Sequence, residues 1–478
     1  MKKVIVWFRK DLRIHDNPAL YYASKEGIVI PLFIWSEDEE KELKKGSASL
    51  WWLHHSLIVL SEKLQKLGAK LILQKGNSLE VIKKLNNETK ADAVYWNERY
   101  EPSIIKRDQT IINELEKDQI ELKTYQSHLL YDPYSILNQQ NQPYKVFTPF
   151  YKQCLKKEVT RPTKIPTSLL AYDKPIRSLT IDELELLPNI PWYEKFHKYW
   201  EPGEEGAIKQ WKRFIRDGLY HYQKKRDIPT SDAFSKLSPF LSWGNISPKT
   251  IWHALEREKI IIGQNILNDQ QHIEAFQRQL IWREFGYHQL IHFPSITHTP
   301  LRSMFRSFPW EKNEDYFMKW KKGKTGFPLV DAGMRELWET GFMHNRVRML
   351  TASFLVKHLL IPWPNGACWF QDTLVDFDIA NNAMGWQWTT GCGLDAAPYF
   401  RIFNPMTQGE KFDPNGDYIR KWVPELAKLP PKYIHRPWEA PKDILRKANI
   451  ELGKTYPYPL VEHKAARERA LAIYNSLK

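Results

Sequence analysis

The first 126 residues alternate short apolar runs of strand length with amphipathic segments of helical spacing, and this alternation most constrains the fold. The strand-like runs are VIVWF, IVIPLFI, KLILQ, AVYWN and IELKTY. Helical spacing of apolar residues follows near Ala19 and within residues 48–67, 78–85 and 104–115. This order predicts an open α/β domain with a parallel sheet and crossover helices. No GxGxxG follows the first run, so a dinucleotide-binding fingerprint is absent.

The pattern changes twice further along the chain. Residues 131–205 are rich in proline and polar residues, which predicts a long linker partly ordered by its aromatic side chains. From residue 206 onward helical periodicity replaces the β-type runs, most clearly in residues 273–292, 331–340 and 343–360. We therefore expect an α/β domain at 1–130, a linker at 131–205 and an all-helical domain at 206–478.

Composition excludes several classes of protein. Hydrophobic residues make up 42% of the chain and charged residues 26%, which excludes a disordered chain. No apolar run approaches the roughly 18 residues that span a bilayer, and residues 4–8 are too few for a secretory signal. Three cysteines without paired spacing argue against a disulfide framework, and no metal-ligand spacing occurs. We expect a cytoplasmic protein with no bound metal.

Charge and tryptophan content both indicate a binding function. The formal net charge of +14 favours a polyanionic partner such as nucleic acid. The 20 tryptophans are many for a chain of this length and imply stacking surfaces, a bound aromatic cofactor, or both.

Residues 376–388, DFDIANNAMGWQW, combine two acids, two adjacent amides and two tryptophans. Such a mixture suits neither a plain core segment nor a solvated surface, and it predicts the lining of a site. The alternative is a polar loop followed by a Trp-rich core helix.

Helical spacing brings further candidates together. Gln279, Trp282 and Gly286 share one helix face, where an amide beside an indole could receive a flat group. The alternative is an ordinary amphipathic helix whose tryptophan is core.

A second helix places Asn345, Arg348 and Met349 on one side, with Arg346 pointing elsewhere. Arg348 could pair with an acid of residues 376–378, because a buried carboxylate needs a cationic or hydrogen-bonding partner. The alternative is a solvated helix start.

Ser235, Lys236 and Ser238 stand at another predicted helix start, where main-chain amides and the helix dipole favour a phosphate. Simple helix capping by serine is the alternative.

Several long motifs occur in order along the chain. They are WFRKDLRIHDNPAL, TGFPLVDAGMRELWETGFMHNRVRM, and DIANNAMGWQW followed by APYFRIFNPMTQGEKFDP. Together they closely resemble the DNA photolyase and cryptochrome family over essentially the whole chain. The resemblance implies an N-terminal antenna domain, a C-terminal helical domain that holds FAD, and a carbon–carbon lyase that acts on damaged DNA as a monomer.

The resemblance also assigns residues to FAD. They are Tyr222, Ser235, Lys236, Leu237, Ser238, Phe276, Arg348, Asp376, Phe377, Asp378 and Asn382. Tyr222 and residues 235–238 would surround the phosphates, and Arg348 and Asp376 would form a buried ion pair beside the flavin. Asn382 would face the central-ring nitrogen and tune its protonation and redox state.

Lesion binding falls by the same resemblance to Arg226, Gln279, Trp282, Asn345, Arg346, Met349, Trp388 and Gln408. A pyrimidine dimer is poorly stacked, so it can be flipped out of the duplex into an aromatic pocket at reduced cost. Trp386, Trp363 and Trp310 match the family's chain of tryptophans that reduces the flavin in light, with Trp386 nearest the flavin.

Gln279 departs from the family pattern, since photolyases of the cyclobutane-dimer type usually carry glutamate at that position. Glutamine can bond a base edge but can neither donate an acidic proton nor carry charge, which predicts slower repair or an altered substrate. The (6-4) photolyase branch uses glutamine there, yet Asn345 after His344 is the cyclobutane-type choice. We therefore favour light-dependent cyclobutane-dimer repair, with (6-4) repair or a cryptochrome-type blue-light sensor as alternatives.

Two further departures concern the cofactors. Phe234 and Lys236 replace the usual threonine and arginine of the phosphate loop, although lysine still supplies cationic donors. Folate-binding relatives offer an acid for the pterin after the position of Tyr100 and Glu101, where this chain reads Pro102-Ser103-Ile104. An antenna chromophore is expected, and methenyltetrahydrofolate, a deazaflavin or no antenna all remain open.

Overall fold

The structure is a computed structural model that describes residues 1–40, 46–262, 267–395 and 401–477, without the side chains of residues 262, 267 and 268. The chain forms two compact units. The first comprises Met1–Tyr220, Ser235–Pro294 and Val375–Ala380, and the second comprises His221–Phe234, Ser295–Leu374 and Asn381–Lys478.

A parallel β-sheet forms the centre of the first 126 residues. Its strands are β1 (Lys2–Phe8), β2 (Gly27–Trp35), β3 (Ile72–Lys75), β4 (Ala93–Asn97) and β5 (Glu121–Tyr125). Their order across the sheet is β3-β2-β1-β4-β5, and all neighbours pair in parallel. A short strand, β6 (Leu170–Ala171), pairs in parallel with the start of β2. The predicted strands and the parallel sheet are confirmed.

Four helices connect these strands as crossovers. They are α1 (Pro18–Glu26), α2 (Ser47–Lys66), α3 (Ser78–Thr89) and α4 (Pro102–Lys117). Apolar residues of β1, β2 and β4 meet those of α3 and α4 in one buried core, in which Trp7 and Trp96 pack edge to face. The central strand β1 is buried from Val4 to Phe8, as expected for a parallel sheet covered on both faces.

Helices dominate the rest of the chain, which confirms the predicted α/β plus helical fold class. They are α5 (Phe147–Cys154), α6 (Glu204–Asp217), α7 (Tyr222–Lys225), α8 (Ser238–Ser242), α9 (Pro248–Ile262), α10 (Leu267–His292), α11 (Glu314–Lys321), α12 (Pro328–Thr340), α13 (Asn345–Ser353), α14 (Trp363–Thr373), α15 (Ile379–Thr390), α16 (Pro405–Phe412), α17 (Asp417–Trp422), α18 (Pro431–Ile434), α19 (Lys442–Lys447) and α20 (His463–Ser476). A π-helical turn, Phe354–His358, continues α13.

The motif that follows β1 has a structural role within the first unit. Arg13 is 1% exposed and donates to the main-chain oxygens of Asp16, Ser127 and Gly244, among others. These bonds join the end of β1 to the segment before α9, and each satisfies a buried carbonyl.

None of the described helices combines the length and apolar character that a bilayer crossing requires. Within the described ranges, no group of three His, Cys, Asp or Glu residues is arranged to hold a metal ion.

Gly244 lies where the backbone of its segment meets the chain after β1, and it has a φ of +66°. A Cβ at this position would lie 2.1 Å from the main-chain oxygen of Lys10. We expect Gly244→Ala to lower the free energy of unfolding by about 3 kcal/mol, through both the positive φ and the clash.

Gly76→Ala is the matched control, because Gly76 also has a positive φ, +133°, but the nearest atom to its Cβ is 3.9 Å away. We expect a cost of about 1 kcal/mol there. Chemical denaturation measures the free energy of unfolding of both variants. Equal losses would show that the close approach at Gly244 does not contribute to the destabilisation.

Candidate functional site

In the first unit, α8 is hydrogen-bonded to the segment of residues 375–380. Ser238 Oγ donates to Asp376 Oδ2 at 2.6 Å, and Ser242 Oγ donates to the main-chain oxygen of Phe377 at 2.6 Å. Asp376 and Asp378 are both 7% exposed, and Asp378 Oδ2 accepts a hydrogen bond from Tyr287 Oη at 2.5 Å. The structure therefore brings together Ser238, Asp376 and Asp378, three of the predicted FAD residues.

Other predicted FAD residues of this unit lie on the same elements. Leu237 is buried at the start of α8, and Lys236 has a φ of +52°, which turns the chain sharply before this helix. Phe276 is buried on α10, with its ring centroid 4.7 Å from that of Phe214. Ser235 accepts a hydrogen bond at its main-chain oxygen from Gln210 Nε2 at 2.7 Å.

In the second unit, helix α15 packs Asn382 and Trp386 against α14 and leaves Gly385 exposed. Asn382 is half-buried and its Nδ2 donates to the main-chain oxygen of Ala367 at 3.3 Å. One turn later, a Cβ built on Gly385 would meet no atom of the described residues within 4 Å. Gly385 is exposed, which accounts for the open space beside it, and the flavin contact of Asn382 stays a prediction.

Trp386 follows Asn382 by one turn on the same side of α15; it is 2% exposed, and its ring centroid lies 5.0 Å from that of Phe370. Gly366 makes room for it, because a Cβ there would lie 2.1 Å from Trp386 Cη2. Trp363 is also buried, whereas Trp310 is half-exposed and packs on Phe308 with centroids 4.3 Å apart. Trp386 and Trp363 are thus equally buried, Trp310 is more exposed, and the relay stays a prediction.

Two predicted DNA-binding arginines of the second unit share one carboxylate. Arg346 Nη2 lies 2.8 Å from Asp227 Oδ2, and Arg226 Nε lies 4.0 Å from Asp227 Oδ1. His344 holds both main chains: its Nδ1 accepts from the Arg346 amide at 3.2 Å, and its Nε2 donates to the Arg226 oxygen at 2.9 Å. Burial lowers the pKa of His344 to about 4, so the neutral ring keeps this arrangement.

The remaining predicted residues of the second unit lie as follows. Arg348 Nε donates to the main-chain oxygen of Met343 at 2.6 Å. Tyr222 is buried, and burial raises its pKa to about 12, so it is a neutral phenol. Asn345 is exposed at the start of α13 with its Nδ2 3.8 Å from Met349 Sδ. Trp388 and Gln408 are half-buried. The Arg348–Asp376 ion pair stays a prediction.

Gln279 and Trp282 lie on α10 in the first unit. Gln279 Nε2 donates to the main-chain oxygen of Ala275 at 3.2 Å. The Trp282 indole stacks on Phe147, with centroids 3.5 Å apart and planes 6° from parallel. Arg278 lies over the same phenyl ring, 5.2 Å from its centroid. Phe147 therefore fixes the plane of the indole that is predicted to contact the lesion.

Four residues of these clusters were not predicted from the sequence. Phe147 lies in the segment interpreted as linker, Asp227 follows a basic run, and Tyr287 and His128 belong to the hydrogen-bonded surroundings of Asp378. Their roles depend on partners distant in the chain. Of the four, Phe147 alone had a sequence signal for its role, because the run YKVFTPFYK places aromatic residues at helical spacing.

Comparisons with known proteins agree over the whole chain. The family model for DNA photolyase matches residues 4–168, and the model for the FAD binding domain of DNA photolyase matches residues 276–476. A Deoxyribodipyrimidine photo-lyase of Agrobacterium fabrum is 47% identical, over 99% of this chain and 98% of the relative. Cryptochrome-2 of Arabidopsis thaliana is 39% identical, over 98% of this chain and 78% of the relative.

A solved structure shares the fold as well. The crystal structure of a bacterial class III photolyase from Agrobacterium tumefaciens has a TM-score of 0.95 and 46% identity, covering 100% of this chain and 98% of that chain.

The stacked pair Phe147 and Trp282 yields a test. We expect Phe147→Ala to weaken binding of a dimer-containing oligonucleotide by about fivefold, because the loss of an aromatic pair costs about 1 kcal/mol of indole positioning. Phe150→Ala is the matched control, since Phe150 lies on the same helix and its ring contacts Phe285 and His288 rather than Trp282. Titration with labelled oligonucleotide measures both, and equal weakening would rule out a specific role for Phe147.

The carboxylate of Asp227 yields a second test. We expect Asp227→Asn to tighten duplex binding several-fold at low salt and to steepen the salt dependence by about one phosphate contact, because two arginines lose their counter-charge. Asp217→Asn is the matched control, because it removes the same charge from a residue that pairs with Arg216 instead. If both substitutions tighten binding equally, net charge alone is responsible.

Proposed function

The chain belongs to the DNA photolyase and cryptochrome family, and we propose that it repairs cyclobutane pyrimidine dimers in DNA by light-dependent electron transfer from FAD. The observation that carries the proposal is the match along the whole chain to a Deoxyribodipyrimidine photo-lyase at 47% identity. The two family models, which together cover both ends of the chain, agree with it.

We propose that the predicted FAD residues hold the cofactor in the helical part of the chain. The buried, hydrogen-bonded carboxylates Asp376 and Asp378 have fixed positions, and Asn382 lies beside open space on α15. Bound FAD would supply absorption of blue light and transfer of one electron to the dimer. The protein's part is to orient the ring, exclude water and hold the amide of Asn382 against it.

On the DNA side, the net charge of +14 supplies non-specific attraction to phosphates. We propose that the dimer is flipped out of the duplex and that Trp282, backed by Phe147, contacts it. Asn345, Met349, Trp388 and Gln408 are proposed to line the remainder, and Arg226 and Arg346 to contact the flanking phosphates.

Trp386, Trp363 and Trp310 are proposed as the relay that reduces the flavin in light. Indole suits this task because it can lose an electron transiently. Residues 1–130 are proposed as the antenna domain, residues 131–205 as the linker and residues 206–478 as the catalytic domain. The antenna would be a folate or a deazaflavin, and we propose that the protein acts as a monomer in the cytoplasm.

The function is tested by irradiating the FAD-loaded protein with oligonucleotides that contain a defined cyclobutane dimer or a defined (6-4) product. We expect loss of the cyclobutane dimer in light and none in darkness. Gln279→Glu is expected to raise dimer repair per absorbed photon, since glutamate can donate an acidic proton or carry charge and glutamine cannot.

Gln271→Glu is the control, because Gln271 is an exposed residue of the same helix and receives the same charge. Repair of only the (6-4) product would contradict the proposed substrate. Photoreduction without any repair would favour the light-sensor alternative, and an unchanged rate in Gln279→Glu would show that this departure has no consequence.

A further inference from the structure

A buried chain of polar side chains in the first unit leads from Asp378 through Tyr287 and His128 to Arg283. Tyr287 Oη lies 2.5 Å from Asp378 Oδ2 and 2.7 Å from His128 Nε2. Arg283 Nη2 lies 2.7 Å from the same histidine nitrogen. None of the four residues is more than 9% exposed. Because water does not reach them, these groups hold one another in place.

The directions of these hydrogen bonds follow from the donors available. A guanidinium only donates, so His128 Nε2 accepts from Arg283, and Tyr287 donates its one hydroxyl hydrogen to Asp378. Tyr287 Oη and His128 Nε2 then share no hydrogen, so their approach is a contact rather than a hydrogen bond. Burial, with the Asp378 charge adding to it, raises the pKa of Tyr287 well above its usual value. Burial also lowers the pKa of His128 well below its usual value, so both rings are neutral.

Packing fixes the phenol ring as firmly as its hydroxyl. The Tyr100 ring meets it edge to face with centroids 6.5 Å apart, and the His128 ring does so at 5.0 Å. The guanidinium carbon of Arg283 lies 5.2 Å from the ring centroid. Arg283 is itself held, because its Nη1 donates to the main-chain oxygen of His128 at 2.8 Å. The hydroxyl therefore reaches Asp378 from one direction.

We propose that Tyr287 is a positioning residue for FAD that acts through Asp378. The inference rests on the proposed function, in which Asp378 contacts the cofactor. With Oδ2 held by the phenol, the carboxylate does not rotate, so its second oxygen has one orientation. The His128 ring and the Arg283 guanidinium hold the phenol ring by packing and contribute to the same orientation less directly.

Tyr287→Phe tests the proposal, because it keeps the ring and removes only the hydroxyl. We expect the dissociation constant of FAD from the full-length chain to rise about tenfold, as loss of a hydrogen bond to a charged group predicts. The vibronic shoulders of the bound flavin's absorption band should broaden, because the carboxylate gains rotational freedom. Equilibrium dialysis and absorption spectra of the FAD-loaded protein measure both.

A double-mutant cycle separates positioning from packing. In an Asp378→Ala background, Tyr287→Phe should not weaken FAD binding further, because the hydroxyl has lost the group through which it acts. Additive effects would overturn the proposal, and so would an unchanged affinity and spectrum in Tyr287→Phe. His128→Gln, which removes the imidazole that packs edge to face on the phenol, should shift both readouts in the same direction by a smaller amount.

Tyr456→Phe is the matched control, since buried Tyr456 donates to the buried carboxylate of Asp331 at 2.7 Å. It should lower thermal stability and leave FAD affinity and spectrum unchanged. An equal effect on FAD would show that any lost buried phenol bond suffices, which would overturn the proposal. Failure of the unsubstituted chain to bind FAD or to repair dimers would instead contradict the proposed function.

Discussion

The burial of Asp376 and Asp378 is the constraint on which the helical part of the first unit depends. A carboxylate removed from water needs donors, and the fold supplies them from two helices, Ser238 on α8 and Tyr287 on α10. A third bond, from Ser242 to the Phe377 oxygen, ties the same segment. The residues that are predicted to contact FAD are therefore also packing elements, and preorganisation of the site and stability of the unit have one physical origin.

The second unit also contains charged side chains in fixed positions. Asp227 lies against two arginines, and neutral His344 fixes the main chain on both sides of them. An excess of basic residues attracts any polyanion, but a fixed pair of guanidinium groups can select a particular phosphate geometry. The carboxylate of Asp227 therefore weakens the attraction between the two arginines and phosphate and makes that attraction more directional.

The tryptophans differ in their packing environments, which the number of tryptophans in the chain does not reveal. Trp7 and Trp96 are core residues of the sheet, whereas Trp282 stacks on Phe147 at a half-exposed position. Trp386 is buried against Phe370 in space that Gly366 leaves open. Packing environment, which differs for each of these indoles, decides whether a ring stabilises the fold, contacts a ligand or relays an electron.

The strands, the helices, the parallel sheet and the family were predictable from the sequence, because periodicity and motif order are local properties of the chain. The sequence also indicated Asp376, Asp378 and Asn382 as candidate site residues, because acids, amides and tryptophans stand together in residues 376–388. Three features became visible in the folded chain alone: β6 extends the sheet, Phe147 backs Trp282 and Tyr287 donates to Asp378. These contacts join residues far apart in the chain, and their energy comes from burial and packing that no local pattern encodes.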